Sequence, residues 1–149
     1  MKNYTSQLSV EKTISLIERA LANAGASNIL KNYDGGAISS ISFTLFDLMF
    51  GKTYLIRLPA DVDAVEKILF RKIKRPRKET IRKVREQAAR TAWKLMLDWV
   101  EVQLSLIELE QVEALQVFLP YVFDGEKTFY SALKENNFRM LGSGKKEEP

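Results

Sequence analysis

The first part of the chain has the apolar spacing of an amphipathic helix. Apolar residues recur at intervals of four, three and four positions, at Val10, Ile14, Ile17 and Leu21. This spacing places them on one face of an α-helix. Ser9 can cap the first turn, and Gly25 favours an end just before it. The pattern therefore predicts a helix that begins after Ser9 and ends near residue 24.

Three segments that follow are typical of β-strands: residues 27–33, 38–46 and 53–58. The middle one alternates most clearly, because Ile41, Phe43 and Leu45 fall on one face and Ser or Thr residues on the other. Residues 34–36 and 48–51 carry turn signals, and Pro59 ends the last strand because it lacks a backbone donor. The segments predict an antiparallel meander.

Two further helices are predicted, separated by Pro76. The first begins after Asp61, continues to about Ile73 and has Val62, Val65 and Leu69 on its buried side. The second begins near Lys78, since a helix normally ends before proline. Its apolar stripe steps by three or four through Ile81, Val84, Ala88, Ala92, Leu95, Trp99, Val102, Leu106 and Leu109. This spacing predicts one helix of roughly 30 residues.

The order of these elements predicts an α+β fold. A helix–three-stranded antiparallel sheet–helix unit occupies residues 1–73, and its two helices are expected to cover one sheet face. A helical part follows in residues 74–141, with a long helix and short C-terminal helices packed against the first unit as one domain. Residues 142–149 are predicted to be a flexible tail. Beyond residue 92 the long helix is apolar on nearly all sides, so we expect a homo-oligomer.

Composition restricts the chemistry. The chain has no Cys and no His, which removes thiolate nucleophiles, the commonest general base and the usual zinc ligands. Asp98 and Glu101 could share a helix face, but Lys94 explains Asp98 as a surface ion pair. We therefore expect no enzyme activity, no cofactor and no metal. No apolar run approaches the length of a membrane span, so we expect a cytoplasmic protein without a membrane partner.

Charge is concentrated in one segment. Residues 71–90 contain ten basic and two acidic residues, a net charge of +8, whereas residues 91–149 have a net charge of −4. Clustered cations, Arg above all, suit phosphate contacts along a nucleic acid, with DNA the expected form. A solvated surface face and an acidic host protein stay open as alternatives. The predicted nucleic-acid-binding residues are Lys72, Lys74, Arg75, Arg77, Lys78, Arg82, Lys83, Arg85 and Arg90.

Aromatic residues on or beside the strands could stack on bases. They are Tyr33, Phe43, Phe46, Phe50 and Tyr54. Core packing is the favoured interpretation for this set.

Several motifs resemble small phage and prophage proteins of unassigned function. They are Val117-Phe118-Leu119-Pro120-Tyr121-Val122, Gly125-Glu126-Lys127-Thr128-Phe129-Tyr130, Ala92-Trp93-Lys94, Asp98-Trp99-Val100-Glu101 and Ile56-Arg57-Leu58-Pro59-Ala60. The resemblance covers most of the chain and implies a viral or prophage origin in a bacterial host, without site residues. Separately, the helix–three strands–helix order is similar to double-stranded RNA-binding domains and to single-strand annealing proteins, although Asp61 and Asp63 make the second helix start acidic.

Two functions are compatible with these patterns. One is a non-enzymatic phage nucleic-acid-binding protein, for example one that handles single-stranded DNA in replication or recombination. The other is an anti-defence inhibitor or adaptor that binds a host protein or a signalling nucleotide.

Overall fold

The computed structural model describes residues 1–142 and confirms the predicted α+β fold. The helices are α1 (Val10–Asn23), α2 (Val62–Phe70), α3 (Lys78–Glu108), α4 (Ala114–Phe118) and α5 (Phe129–Glu135). The strands are β1 (Ser27–Asp34), β2 (Ala37–Asp47) and β3 (Lys52–Pro59). Apart from Gly142, the predicted tail lies outside the described residues.

The sheet is an antiparallel meander in the order β1-β2-β3, as predicted. Ile41 pairs with Leu58 and Phe43 with Ile56, and all four side chains are fully buried. On the opposite face Ser40 and Ser42 are also buried, and the Asn32 amide donates hydrogen bonds to both hydroxyls at 3.0 and 2.8 Å. The two faces therefore differ: one is an apolar core and the other a polar network.

Helices α1 and α3 cover the apolar face of the sheet, which corrects the prediction that the second helix of the first unit would do so. In α1 the Ser9 hydroxyl accepts a hydrogen bond from the Lys12 amide at 3.2 Å, and the predicted face is buried. By contrast, α2 has no buried residue and packs against α3. The physical reason is that α3 supplies more apolar surface to the sheet than α2 can. One core therefore contains residues of both predicted units.

The buried stripe of α3 also differs from the predicted one. Ala88 and Ala92 of the predicted stripe are buried, but the large buried side chains are Trp93, Leu97 and Val100, which the stripe did not include. Three members of the predicted stripe, Ile81, Val102 and Leu109, are 45%, 57% and 68% exposed. Because α3 is apolar on several sides after residue 92, periodicity alone does not choose the stripe that meets the sheet.

The C-terminal segment closes the core along β3. Phe118 is fully buried, and its ring makes edge contacts with Phe43 and Trp99 at centroid distances of 5.5 and 5.8 Å. A 3-10 turn (Leu119–Tyr121) follows, and then the Phe123 amide donates to the Leu55 carbonyl at 2.8 Å. This segment packs on part of α3 through Trp99, and the expected homo-oligomer stays a prediction.

Candidate nucleic-acid interface

The connection between α2 and α3 is a compact group of cations. We call residues 71–78 the basic loop; its cations are Arg71, Lys72, Lys74, Arg75, Arg77 and Lys78, and all are exposed. Helix α2 ends at Phe70, and Pro76, which disfavours helical backbone in the residue before it, precedes the new helix that begins at Lys78. Six positive side chains therefore project from one short turn of the chain.

The basic loop ends at the N-terminus of α3, which is itself suited to anions. Arg77 occupies the N-cap with an extended backbone (φ −82°, ψ 162°) and makes no side-chain capping bond. A guanidinium has donors only, so it cannot satisfy the free N–H groups of the first turn. These N–H groups and the helix dipole add to the attraction of the six cations for phosphate oxygens.

The predicted site residues divide into two groups. Five of them have no ion pair or side-chain hydrogen bond within residues 1–142: Lys72, Lys74, Arg75, Arg77 and Lys78, all in the basic loop. The other four lie further along α3 and have partners in the same chain. The distinction matters, because an unpaired cation loses little when it binds a phosphate.

Arg82 and Lys83 form surface pairs one helical turn apart. Arg82 contacts Glu86 at 3.0 Å, and Lys83 contacts Glu79 at 3.4 Å. All four side chains are at least half exposed. Such pairs contribute about 0.3–0.5 kcal/mol each. Both cations can therefore exchange their carboxylate for a phosphate at small cost.

Arg85 connects α3 to α2. Its guanidinium lies 2.5 Å from the Asp63 carboxylate and 3.5 Å from that of Glu66. The hydrogen bond to Asp63 raises the pKa of Arg85 above its ordinary value. Arg85 therefore positions the helix that leads into the basic loop.

Arg90 is half-buried and holds the N-terminal segment. It donates to the Ser6 carbonyl at 3.3 Å and to the Gln87 side-chain oxygen at 2.7 Å. Nearby, Thr91 donates to the Asn3 carbonyl at 3.0 Å, so residues 3–6 lie along α3. These contacts orient Arg90 toward the protein itself.

Asp98 anchors the same N-terminal segment further along α3. Its carboxylate accepts hydrogen bonds from Lys2, from Asn3 at 2.7 Å and from Lys94 at 2.8 Å. Burial opposes ionisation, but these donors together hold the pKa of Asp98 well below its ordinary value. The sequence indicates the pair with Lys94 and contains no local signal for the contacts with Lys2 and Asn3.

The strand aromatics are not all in the core, which corrects the favoured interpretation. Phe43 is fully buried and Tyr54 is half-buried, whereas Tyr33, Phe46 and Phe50 are 64%, 61% and 65% exposed. Phe46 and Phe50 lie at the β2–β3 turn and line a cavity together with residues that follow the C-terminus of α3. The basic loop precedes the N-terminus of α3, so Phe46 and Phe50 are distant from it.

Within residues 1–142, no three acidic side chains form a cluster that could hold a metal ion. In the same part of the chain, no helix has both the length and the apolar character needed to cross a membrane. Comparisons of the chain with models of known protein families, with curated proteins and with solved structures found no match. Function is therefore inferred from the geometry and charge of the chain itself.

Proposed function

We propose that this chain is a non-enzymatic nucleic-acid-binding protein of phage or prophage origin, and that its basic loop binds phosphates. The observation that carries the proposal is a group of six exposed cations that have no partner within residues 1–142. They precede a helix N-terminus that has no side-chain cap, and its free N–H groups carry partial positive charge that also attracts phosphate. Single-stranded DNA in replication or recombination is the substrate that we propose.

The surroundings of the basic loop support this role. Arg85 offsets the charge of Asp63 and Glu66, so the carboxylates of α2 repel a nearby phosphate less. Arg82 and Lys83, in the first turns of α3, extend the cationic surface by exchanging their weak surface pairs. The proposed contact set is therefore the basic loop with these two residues as support. Arg85 and Arg90 act as positioning residues.

A second candidate is favoured by the compactness of the unpaired charge. Because the cations further along α3 have intramolecular partners, the unpaired ones form a short cluster and not a long track. A short cluster also suits an anti-defence inhibitor or adaptor that binds an acidic host protein or a signalling nucleotide. A protein with this function would bind one partner tightly and would not bind oligonucleotides.

Binding to short oligonucleotides across a salt series tests the proposal. We expect the Arg75→Ala/Arg77→Ala variant to lower the slope of log affinity against log salt by about 1.4 for a single strand and about 1.8 for a duplex, since two phosphate contacts are lost. The matched control is Lys12→Ala/Arg19→Ala, which removes the same charge from exposed positions on α1.

The two variants also separate the candidates. If both change the slope equally, the effect is that of net charge and the basic loop is not the site. If the wild-type protein binds neither single strands nor duplexes at low salt, the nucleic-acid proposal is wrong and the second candidate replaces it.

A further inference from the structure

A second surface of this protein is apolar and exposed. We call Phe46, Leu48, Met49 and Phe50, at the β2–β3 turn, the tip patch. Their exposed fractions are 61%, 88%, 74% and 65%. Contiguous large apolar groups of this kind on a soluble surface mark interaction sites. Their exposure favours an occupant that covers them.

The turn that presents the tip patch is well ordered by hydrogen bonds. The Asp47 carboxylate accepts from the Met49 amide at 2.9 Å, and the Asp47 carbonyl accepts from the Gly51 amide at 2.8 Å. Gly51 has a φ of +63°, which glycine adopts without strain. The tip patch is therefore a preformed projection.

The tip patch has acidic groups in the cavities beside it, and the exposed Lys52 lies at the end of the same turn, opposite Asp47. The tip patch borders a cavity of about 350 Å³ that continues into another of about 700 Å³, because both include Leu45, Ala114 and Phe118. The charged residues that line them are Asp47, Glu101, Glu108 and Glu113, and neither has a Lys or Arg in its lining. Residues 95–126 as a whole contain seven acidic and no basic residues. An anionic occupant, such as a nucleic acid or an anionic lipid surface, is thus disfavoured by repulsion.

The opposite end of α3 has the complementary features. A recess of about 430 Å³ lies between the end of α2 and the first turns of α3. Leu69, Ile73 and Val84 supply its apolar wall, and two cations, Lys83 and Arg90, line it together with one carboxylate, Glu86. Ile73 belongs to the basic loop, whose exposed cations precede and follow it in the chain although none of them lines the recess itself. It is an apolar hollow with a predominantly positive border.

We infer that the tip patch of one copy docks in this recess of a second copy. An apolar projection with acidic surroundings meets an apolar hollow with basic surroundings, so both the burial and the charge are complementary. The two surfaces lie at opposite ends of α3, whose 31 residues span about 45 Å. The tip patch of one copy therefore cannot reach the recess of the same copy. The contact is heterologous, and it produces open chains of molecules unless the rotation between copies closes a ring.

Light scattering and sedimentation without nucleic acid test this inference independently of the proposed function. The wild-type protein is expected to gain mass at tens of micromolar and to lose it as salt is added. Two variants each remove one surface: Leu48→Thr/Phe50→Thr at the tip patch and Lys74→Glu/Arg75→Glu at the basic loop. Each alone should associate more weakly by about tenfold or more. The control Leu30→Thr/Tyr33→Thr replaces two large residues on β1 that are 59% and 64% exposed, and it should associate normally.

Mixing the two variants is the decisive experiment. The tip variant retains an intact recess and the loop variant an intact tip, so an equimolar mixture should form a one-to-one dimer and no larger species. A dimer of the loop variant alone would indicate tip-to-tip contact and overturn the inference. A wild-type protein that stays monomeric would overturn it as well, and would leave the tip patch to a different protein. Circular dichroism of each variant confirms that it is folded.

Discussion

Replacing Arg85 with alanine separates two roles of a cation on α3. The charge pattern of the sequence places Arg85 among the phosphate ligands, with its side chain free in solvent. The structure pairs its guanidinium with two carboxylates of α2, at 2.5 Å from Asp63 and 3.5 Å from Glu66. If this pairing is its role, Arg85→Ala loosens α2 and leaves the binding of phosphates almost unchanged.

The size of the effect follows from exposure. The side chains of Arg85, Asp63 and Glu66 are 48%, 79% and 27% exposed, so solvent screens the first pair strongly and the second partly. Exposed pairs contribute about 0.2–1 kcal/mol, which gives about 1 kcal/mol for the two together. A loss of this size lowers Tm by about 2–4 °C. Because α2 has no buried residue, much of the change should appear as local opening of α2.

A double-mutant cycle with Asp63→Asn and hydrogen exchange measure this prediction. We expect a coupling free energy of about 0.5–1 kcal/mol and faster exchange in α2. The slope of oligonucleotide affinity against salt should equal that of the wild type within error. Arg82→Ala, which removes the same charge three residues earlier, is the control and should leave the exchange of α2 unchanged. Zero coupling together with a slope lowered by about 0.7–0.9 would refute the reasoning and return Arg85 to the phosphate site.

Two further predictions concern the core and the N-terminal segment. Phe118→Ala should destabilise the fold by about 3–5 kcal/mol in urea denaturation, because the fully buried ring joins the C-terminal segment to Phe43 and Trp99. The control is Leu119→Ala at the neighbouring residue, which is 40% exposed and should lose about 0.5 kcal/mol of stability or less. Equal losses of stability in the two variants would contradict the buried packing of Phe118. Asp98→Asn should cost about 1 kcal/mol at neutral pH. Because folding lowers the pKa of Asp98, its contribution is complete above about pH 4 and fades in acid. The difference in unfolding free energy between the wild type and Asp98→Asn should therefore be smaller at about pH 3 than at neutral pH. A difference that does not change with pH would show that the ionised Asp98 does not stabilise the fold.

Local patterns were sufficient for the helices and strands. The α1 stripe, the alternation in β2 and the boundary at Pro76 each depend on neighbouring residues, and each element formed within a few residues of its predicted bounds. The cations of the basic loop could be recognised in the same way, because they are adjacent in the sequence. Only part of the candidate site could be predicted, however, since Asp63 and Ser6, which Arg85 and Arg90 contact, lie 22 and 84 residues away.

The exposed aromatics show the same limit of prediction from sequence. Phe46 and Phe50 are as apolar as any core residue, and sequence alone favours burial for both. Whether they are buried depends on what lies beside the β2–β3 turn, and in the fold they stay 61% and 65% exposed at its end. No local pattern carries this information.

The sequence by itself therefore determined the α+β class, the order of the elements and the concentration of positive charge before α3. Each of these depends on residues within a few positions of one another. The tertiary structure alone decided that α3 rather than α2 covers the sheet, and that its stripe of Trp93, Leu97 and Val100 meets the core. It also decided which cations are paired, and that the apolar tip patch and the basic loop lie at opposite ends of α3. The physical reason is that burial and charge pairing are properties of surfaces that meet in space, and those surfaces come from distant parts of the chain.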